Sequence, residues 1–151
     1  MKNSFKLFLL FLIIFSGCTD PVKIDIKNYS NQLKYITDQE DNALKRWNSV
    51  SGANFINDGY MHNALDSYII TTYGNFVDNL KALKLQTKEV QELNSIYIQA
   101  AEKQLDGFNM MKASLEKHDK DMMNNAYKLL QEGRESEKVW ASKFQALSSA
   151  H

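Results

Sequence analysis

The sequence predicts an all-α protein whose body is an antiparallel up-down-up-down four-helix bundle. Three observations lead there. Apolar residues recur at three- and four-residue spacing through nearly all of the chain beyond residue 24. No stretch alternates at strand period, and no proline follows Pro21, so nothing interrupts long helices. The breaks between stripes are short, which favours each helix folding back on its predecessor over one extended coiled coil. Helices of roughly 28 to 30 residues would give a bundle about 40 Å long at ~1.5 Å per residue.

Residues 1–17 read as a cleaved leader. Lys2 and Lys6 make a basic start, Leu7 to Phe15 is an unbroken apolar run, and Ser16-Gly17 brings small residues before Cys18. The run is too short to cross a hydrocarbon core, which takes about 20 residues as helix. Cys18 placed directly after the small pair resembles the lipobox of bacterial lipoproteins, although Phe15 stands where Leu, Val or Ala is commoner. The resemblance implies cleavage before Cys18, a lipid on its sulfur, and an extracytoplasmic, membrane-anchored protein (at the outer membrane where the cell has one). Thr19 rather than Asp follows the cysteine, so the inner-membrane retention signal of enteric bacteria is missing. Residues 18–23 would form the lipidated tether, reaching ~20 Å when extended.

Cys18 is the only cysteine, so no disulfide can form within the chain and the exported body rests on its apolar core. Removing Lys2 and Lys6 with the leader leaves sixteen basic against eighteen acidic residues, a net of −2. That balance excludes the basic surface nucleic-acid binding requires.

The bundle domain spans residues 24–151. The first helix is expected from Ile24 to Ser51, on a stripe of Tyr29, Leu33, Ile36, Ala43, Leu44, Trp47 and Val50, with Gly52 as its stop. In the loop that follows, Phe55 and Ile56 are expected to fold down over the core; an exposed apolar tip for a partner is the other reading. Asn57 or Asp58 caps a second helix reaching Leu85, on Met61, Leu65, Tyr68, Ile69, Thr72, Tyr73, Phe76, Leu80 and Leu83. Thr87 caps the third, with Val90, Leu93, Tyr97, Ala100, Gln104, Phe108, Met111 and Leu115 as its seam. Asp119 caps the fourth, along Met122, Met123, Ala126, Leu130, Gly133, Trp140, Phe144 and Leu147. Gly74, Gly107 and Gly133 fall inside these helices, where glycine permits a close approach or a kink, here beside Trp47 or Trp140.

Candidate chemistry is sparse. No Glu is followed three residues later by His, so the ferritin-like di-metal signature is absent. One cysteine excludes covalent haem attachment through Cys-x-x-Cys-His, and Gly-x-Ser-x-Gly and phosphate-binding glycine loops are missing. His62 lies between Asp58 and Asp66, and His118 beside Asp119 and Asp121, but without a recognised metal spacing. No metal, cofactor or catalytic residue is therefore expected.

Counting about fourteen residues from each turn brings Glu40, Tyr68 to Thr72, Gln104 and Gln131 to Gly133 to one height. Glu40 and Gln104 interrupt apolar stripes there, which predicts a polar layer of Glu40, Thr72 and Gln104, with a tyrosine hydroxyl as a further partner. A buried carboxylate needs donors or a proton. The layer is read as fixing helix register, as binding a polar ligand between helices, or as absent because the first helix turns Glu40 to water.

The run Glu89-Val90-Gln91-Glu92-Leu93 through Gly107-Phe108 and Trp140 resembles small helical lipoproteins of Gram-positive bacteria without assigned activity. The expected function is a non-enzymatic interaction or accessory module at the cell envelope, with an envelope or extracellular protein as partner. The alternative is a helical bundle that binds a small ligand or metal.

Overall fold

The computed structural model describes residues 20–151; the leader expected at residues 1–17 and the lipid attachment site expected at Cys18 lie outside the described residues. Among the described residues the structure is helical throughout. Helix α1 spans Pro21–Asn48, a short 3-10 turn Gly52–Asn54, helix α2 Asp58–Ala64, a π-turn Leu65–Ile69, helix α3 Ile70–Ala82, helix α4 Lys88–Lys117 and helix α5 Lys120–Ala150. The segment from α2 through the π-turn to α3 is one continuous rod, so four rods pack together.

Helix α1 begins three residues earlier than its apolar stripe suggests. Asp20 caps it, accepting from the backbone N–H of Val22 at 2.9 Å and of Lys23 at 3.3 Å, with Pro21 in the first turn. Proline suits that position because its missing donor would have had no intrahelical partner. The tether expected at residues 18–23 is shorter by that amount. Asn57 caps α2 through Tyr60 N, and Asp119 caps α5 through Met122 N. Helix α4 stops at His118, whose φ of 53° is left-handed.

The second rod departs from its expected face. Leu65, Ile69 and Tyr73 are fully buried, whereas Tyr68 is 41 % exposed and Thr72 half-buried. Met61, Leu65, Ile69, Tyr73 and Val77 all point inward at an unbroken four-residue step. An ideal α-helix would carry that series about 160° off the face over sixteen residues. The wide turn at Leu65–Ile69 takes up most of the drift and keeps the series on the core.

The core is strongly aromatic. Tyr73 meets Phe76 and Phe108 edge to face at 5.4 and 5.3 Å, and Phe76 meets Tyr97 at 5.5 Å. Such pairs add about 0.5–1.5 kcal/mol each beyond the area they bury. Helix α5 packs chiefly on α4 and only lightly on α1. Two glycines set that closeness. A Cβ on Gly133 would lie 2.4 Å from Gln104 Cγ and 2.9 Å from the Ala100 carbonyl, and one on Gly107 would lie 2.8 Å from Leu130. Neither glycine makes room for a tryptophan as expected, and a Cβ on Gly74 would meet nothing within 4 Å.

Phe55 and Ile56 do not cover the core. They are 46 % and 65 % exposed, because Trp47, Val50, Met61 and Leu115 already close that end. The loop is pinned from outside, with Asn54 Nδ2 donating to the Asn48 carbonyl at 2.9 Å. No helix among the described residues is long and apolar enough to cross a membrane.

Candidate functional site: a buried carboxylate layer

Halfway along the rods the core turns polar. Glu40 comes from α1 and is only 5 % exposed, so a helix turned to place it in water is ruled out. It sits on the inward face between Leu33 and Ala43, at the same seven- and three-residue steps as the apolar stripe. Tyr97 of α4 donates its hydroxyl to Glu40 Oε2 at 2.5 Å, and Tyr73 of α3 donates to Oε1 at 3.4 Å. Tyr73 is aimed there by the four-residue series through the π-turn.

Gln104 is 1 % exposed and stands on the α4 face beside α5. Its Nε2 donates to Glu137 Oε2 at 3.3 Å, tying α4 to α5. Its Oε1 has no hydrogen-bond partner among the described residues, and neither does the buried Nε1 of Trp140. The Trp140 ring lies flat on Tyr97, with centroids 3.9 Å apart and planes at 17°. Thr72 is not part of the layer: half-buried, it makes no side-chain hydrogen bond among the described residues, and the neighbouring Tyr73 takes the place assigned to it.

The electrostatics follow from this arrangement. Burial pushes the Glu40 carboxyl up to about 8, and the charge of Glu137 adds to the push. The Tyr97 hydrogen bond pulls the other way, Asp41 pushes up again, and the Tyr73 bond pulls down. Glu137 is itself raised, by burial first and by Asp41, against the bond from Gln104 and the charge of Arg134. Tyr73 and Tyr97 are raised by burial and then by the Glu40 charge, so both phenols stay neutral donors.

A second buried carboxylate was not anticipated. Asp25, 2 % exposed, accepts at Oδ2 from Gln86 N at 2.9 Å, Thr87 N at 2.7 Å and Thr87 Oγ1 at 2.8 Å. It satisfies the start of α4 from another helix, so Thr87 spends its hydroxyl on Asp25 and not on its own cap. Nearby, Tyr29 donates to Asn94 Oδ1 at 3.1 Å, and Asn94 Nδ2 donates to the Leu80 carbonyl at 3.0 Å.

At the opposite end, His62 Nε2 lies 2.9 Å from Glu116 Oε1, and Asp66 pairs with Lys112. The lysine beside Asp66 holds its carboxyl below the usual range. Among the described residues no three His, Cys, Asp or Glu side chains cluster as metal ligands would. Surface depressions between α4 and α5 are lined by Leu93, Ile96 and Leu147, or by Ser114, His118 and Met123, away from Glu40.

Chemically, the layer can hold and release a proton in a nearly dry setting. It offers no nucleophile with an adjacent base and no oxyanion-stabilising pair. The signal for Glu40 and Gln104 is the polar interruption of an apolar stripe; Glu137, Asp25 and the two tyrosines carry no such mark. No protein-family model, curated protein or solved structure matches this chain.

Proposed function

We propose that the chain is a lipoprotein anchored through Cys18 to the extracytoplasmic face of a membrane, and that its helical body is a non-enzymatic interaction or accessory module of the cell envelope. The leader carries this reading: Lys2 and Lys6, the apolar run Leu7 to Phe15, and Ser16-Gly17 directly before Cys18. With Asp20 already capping α1, only Thr19 separates the anchor from the folded body. The body would stand directly on the bilayer.

We further infer an antiparallel up-down-up-down course for the four rods. It is supported by the pairs Asp66–Lys112 and Lys81–Glu102, whose numbers run in opposite directions along α3 and α4. It is supported too by Asp25 meeting Thr87, and by His151 meeting Asp20. This course puts Phe55, Ile56 and Tyr60, all exposed, at the end far from the anchor, where a partner protein would touch. A small-ligand reading is less favoured, because the tyrosines already take both oxygens of Glu40.

Metabolic labelling with a fatty-acid analogue tests the anchor. The wild type is expected to take up label and to be cleaved, while Cys18→Ser takes up none and accumulates at precursor length. Labelling of the variant at the wild-type level would overturn the proposal.

A further inference from the structure

We propose that Glu40 and Glu137 form a proton-operated joint: with one of the two carboxyls protonated the second half of α5 lies against α1, and with both ionised that half swings away. This inference does not depend on the lipid anchor.

The geometry divides α5 in two. Its first half is clamped on α4 where Leu130 meets Gly107 and Gly133 meets Gln104 and Ala100, contacts too close to admit a methyl group. Beyond Gly133 no residue of α5 is fully buried. That half rests on three half-buried side chains, Trp140 stacked on Tyr97, Phe144 against Tyr29 with centroids 6.1 Å apart, and Leu147, together with the Gln104–Glu137 hydrogen bond. Trp140 Nε1 is buried there and makes no well-formed hydrogen bond, with the Tyr29 hydroxyl as a weak partner, so closure of this half leaves the donor poorly satisfied. At its far end His151 reaches Asp20, an exposed pair of small worth.

Glu137 stands one helical turn beyond the clamp, on the side of the loosely held half. The groups facing Glu40 are Tyr73 from α3, Tyr97 from α4, Glu137 from α5 and Asp41 from its own helix. Those facing Glu137 are Gln104 from α4, Asp41 from α1 and Arg134 from its own helix. Arg134 is exposed, so the seam holds carboxylates with no buried cation to balance them. Two such carboxylates cannot both ionise cheaply when shielded from water. One proton removes the conflict while the two Glu40 oxygens keep accepting from Tyr73 and Tyr97. Burial places loss of that proton near a pH of about 8. Opening would uncover a strip of Tyr29, Trp140 and Phe144, coupling local acidity to the display of an apolar surface.

Amide hydrogen exchange read by mass spectrometry on the full chain in detergent, corrected for the intrinsic pH dependence of exchange, tests this from about pH 6 to about pH 9.5. Peptides from Glu135–Ala150 are expected to lose protection at least ~tenfold through about pH 8, while those from Lys120–Gly133 hold. Glu40→Gln should keep the second half protected throughout. Equal loss in both halves, or a wild-type profile in Glu40→Gln, would overturn the joint. Should Glu40→Gln not fold, Glu137→Gln carries the test. Its Glu40 side-chain carboxyl carbon is expected to titrate at lower pH than in the wild type, and an unmoved midpoint would refute the pair.

Discussion

Helix α1 buries two carboxylates to almost the same degree, Asp25 at 2 % exposure and Glu40 at 5 %, and treats them differently. Asp25 meets three donors at one oxygen, two of them backbone N–H groups with no other helical partner. Glu40 meets two phenols and no backbone donor, and it feels the charge of a second carboxylate, Glu137. Burial alone thus does not decide what an acidic side chain does in a core. The surrounding donors do. Asp25 locks the α3–α4 turn to α1, while Glu40 makes the middle of the bundle sensitive to protons.

The largest expected effect is the pH dependence that Glu40 brings. The folded state holds the Glu40 proton up to about 8, whereas an unfolded chain releases it near 4.5. The native state therefore binds more protons in between, and stability falls as pH rises across that window. At ~1.4 kcal/mol per pH unit, the loss is on the order of 5 kcal/mol if the α5 seam stays shut. Denaturant melts at a series of pH values measure it; a flat profile would mean that the fold does not hold the Glu40 proton.

Removing Asp25 comes next. Asp25→Ala leaves two backbone donors and a hydroxyl without an acceptor in a shielded place, at an expected cost of about 3 kcal/mol. Urea midpoints at pH 7 would show it, and the slope of stability against pH should survive in this variant. The smallest effect is that of Tyr73→Phe. The hydroxyl sits at the long limit of a hydrogen bond to Glu40, so its loss should cost less than about 1 kcal/mol. A cost as large as that of Asp25→Ala would mean the phenol matters far more than its geometry implies.

The helices, their caps at Asn57 and Asp119 and the polar break at Glu40 and Gln104 were legible in the sequence. Each is a local signal: a period, a capping residue, an acid or amide within a greasy stripe. Asp25 was not legible, because its partners at Gln86 and Thr87 are more than sixty residues away and their need for an acceptor arises only when the rods meet. An ideal helical period across Leu65–Ile69 puts Thr72 and Tyr73 on the same inward stripe, so the period alone does not tell which of them reaches Glu40. The strict four-residue recurrence from Met61 to Val77 was the available clue to the wider turn. Glu137 escaped notice since it lies at the edge of its stripe, half-buried, and matters only through Glu40.

The wide turn at Leu65–Ile69 holds one residue more than an α-helix of the same span requires. Dropping a single codon there would leave an ordinary helix with both flanks in place, Met61 still under Trp47's end of the core and Tyr73 still reaching Glu40. Elsewhere in these rods the same deletion would rotate every downstream side chain by about 100° and turn the greasy face outward. The gene thus has one site in this rod where its reading length is negotiable by a codon, and it lies two turns from the acidic centre it helps to aim.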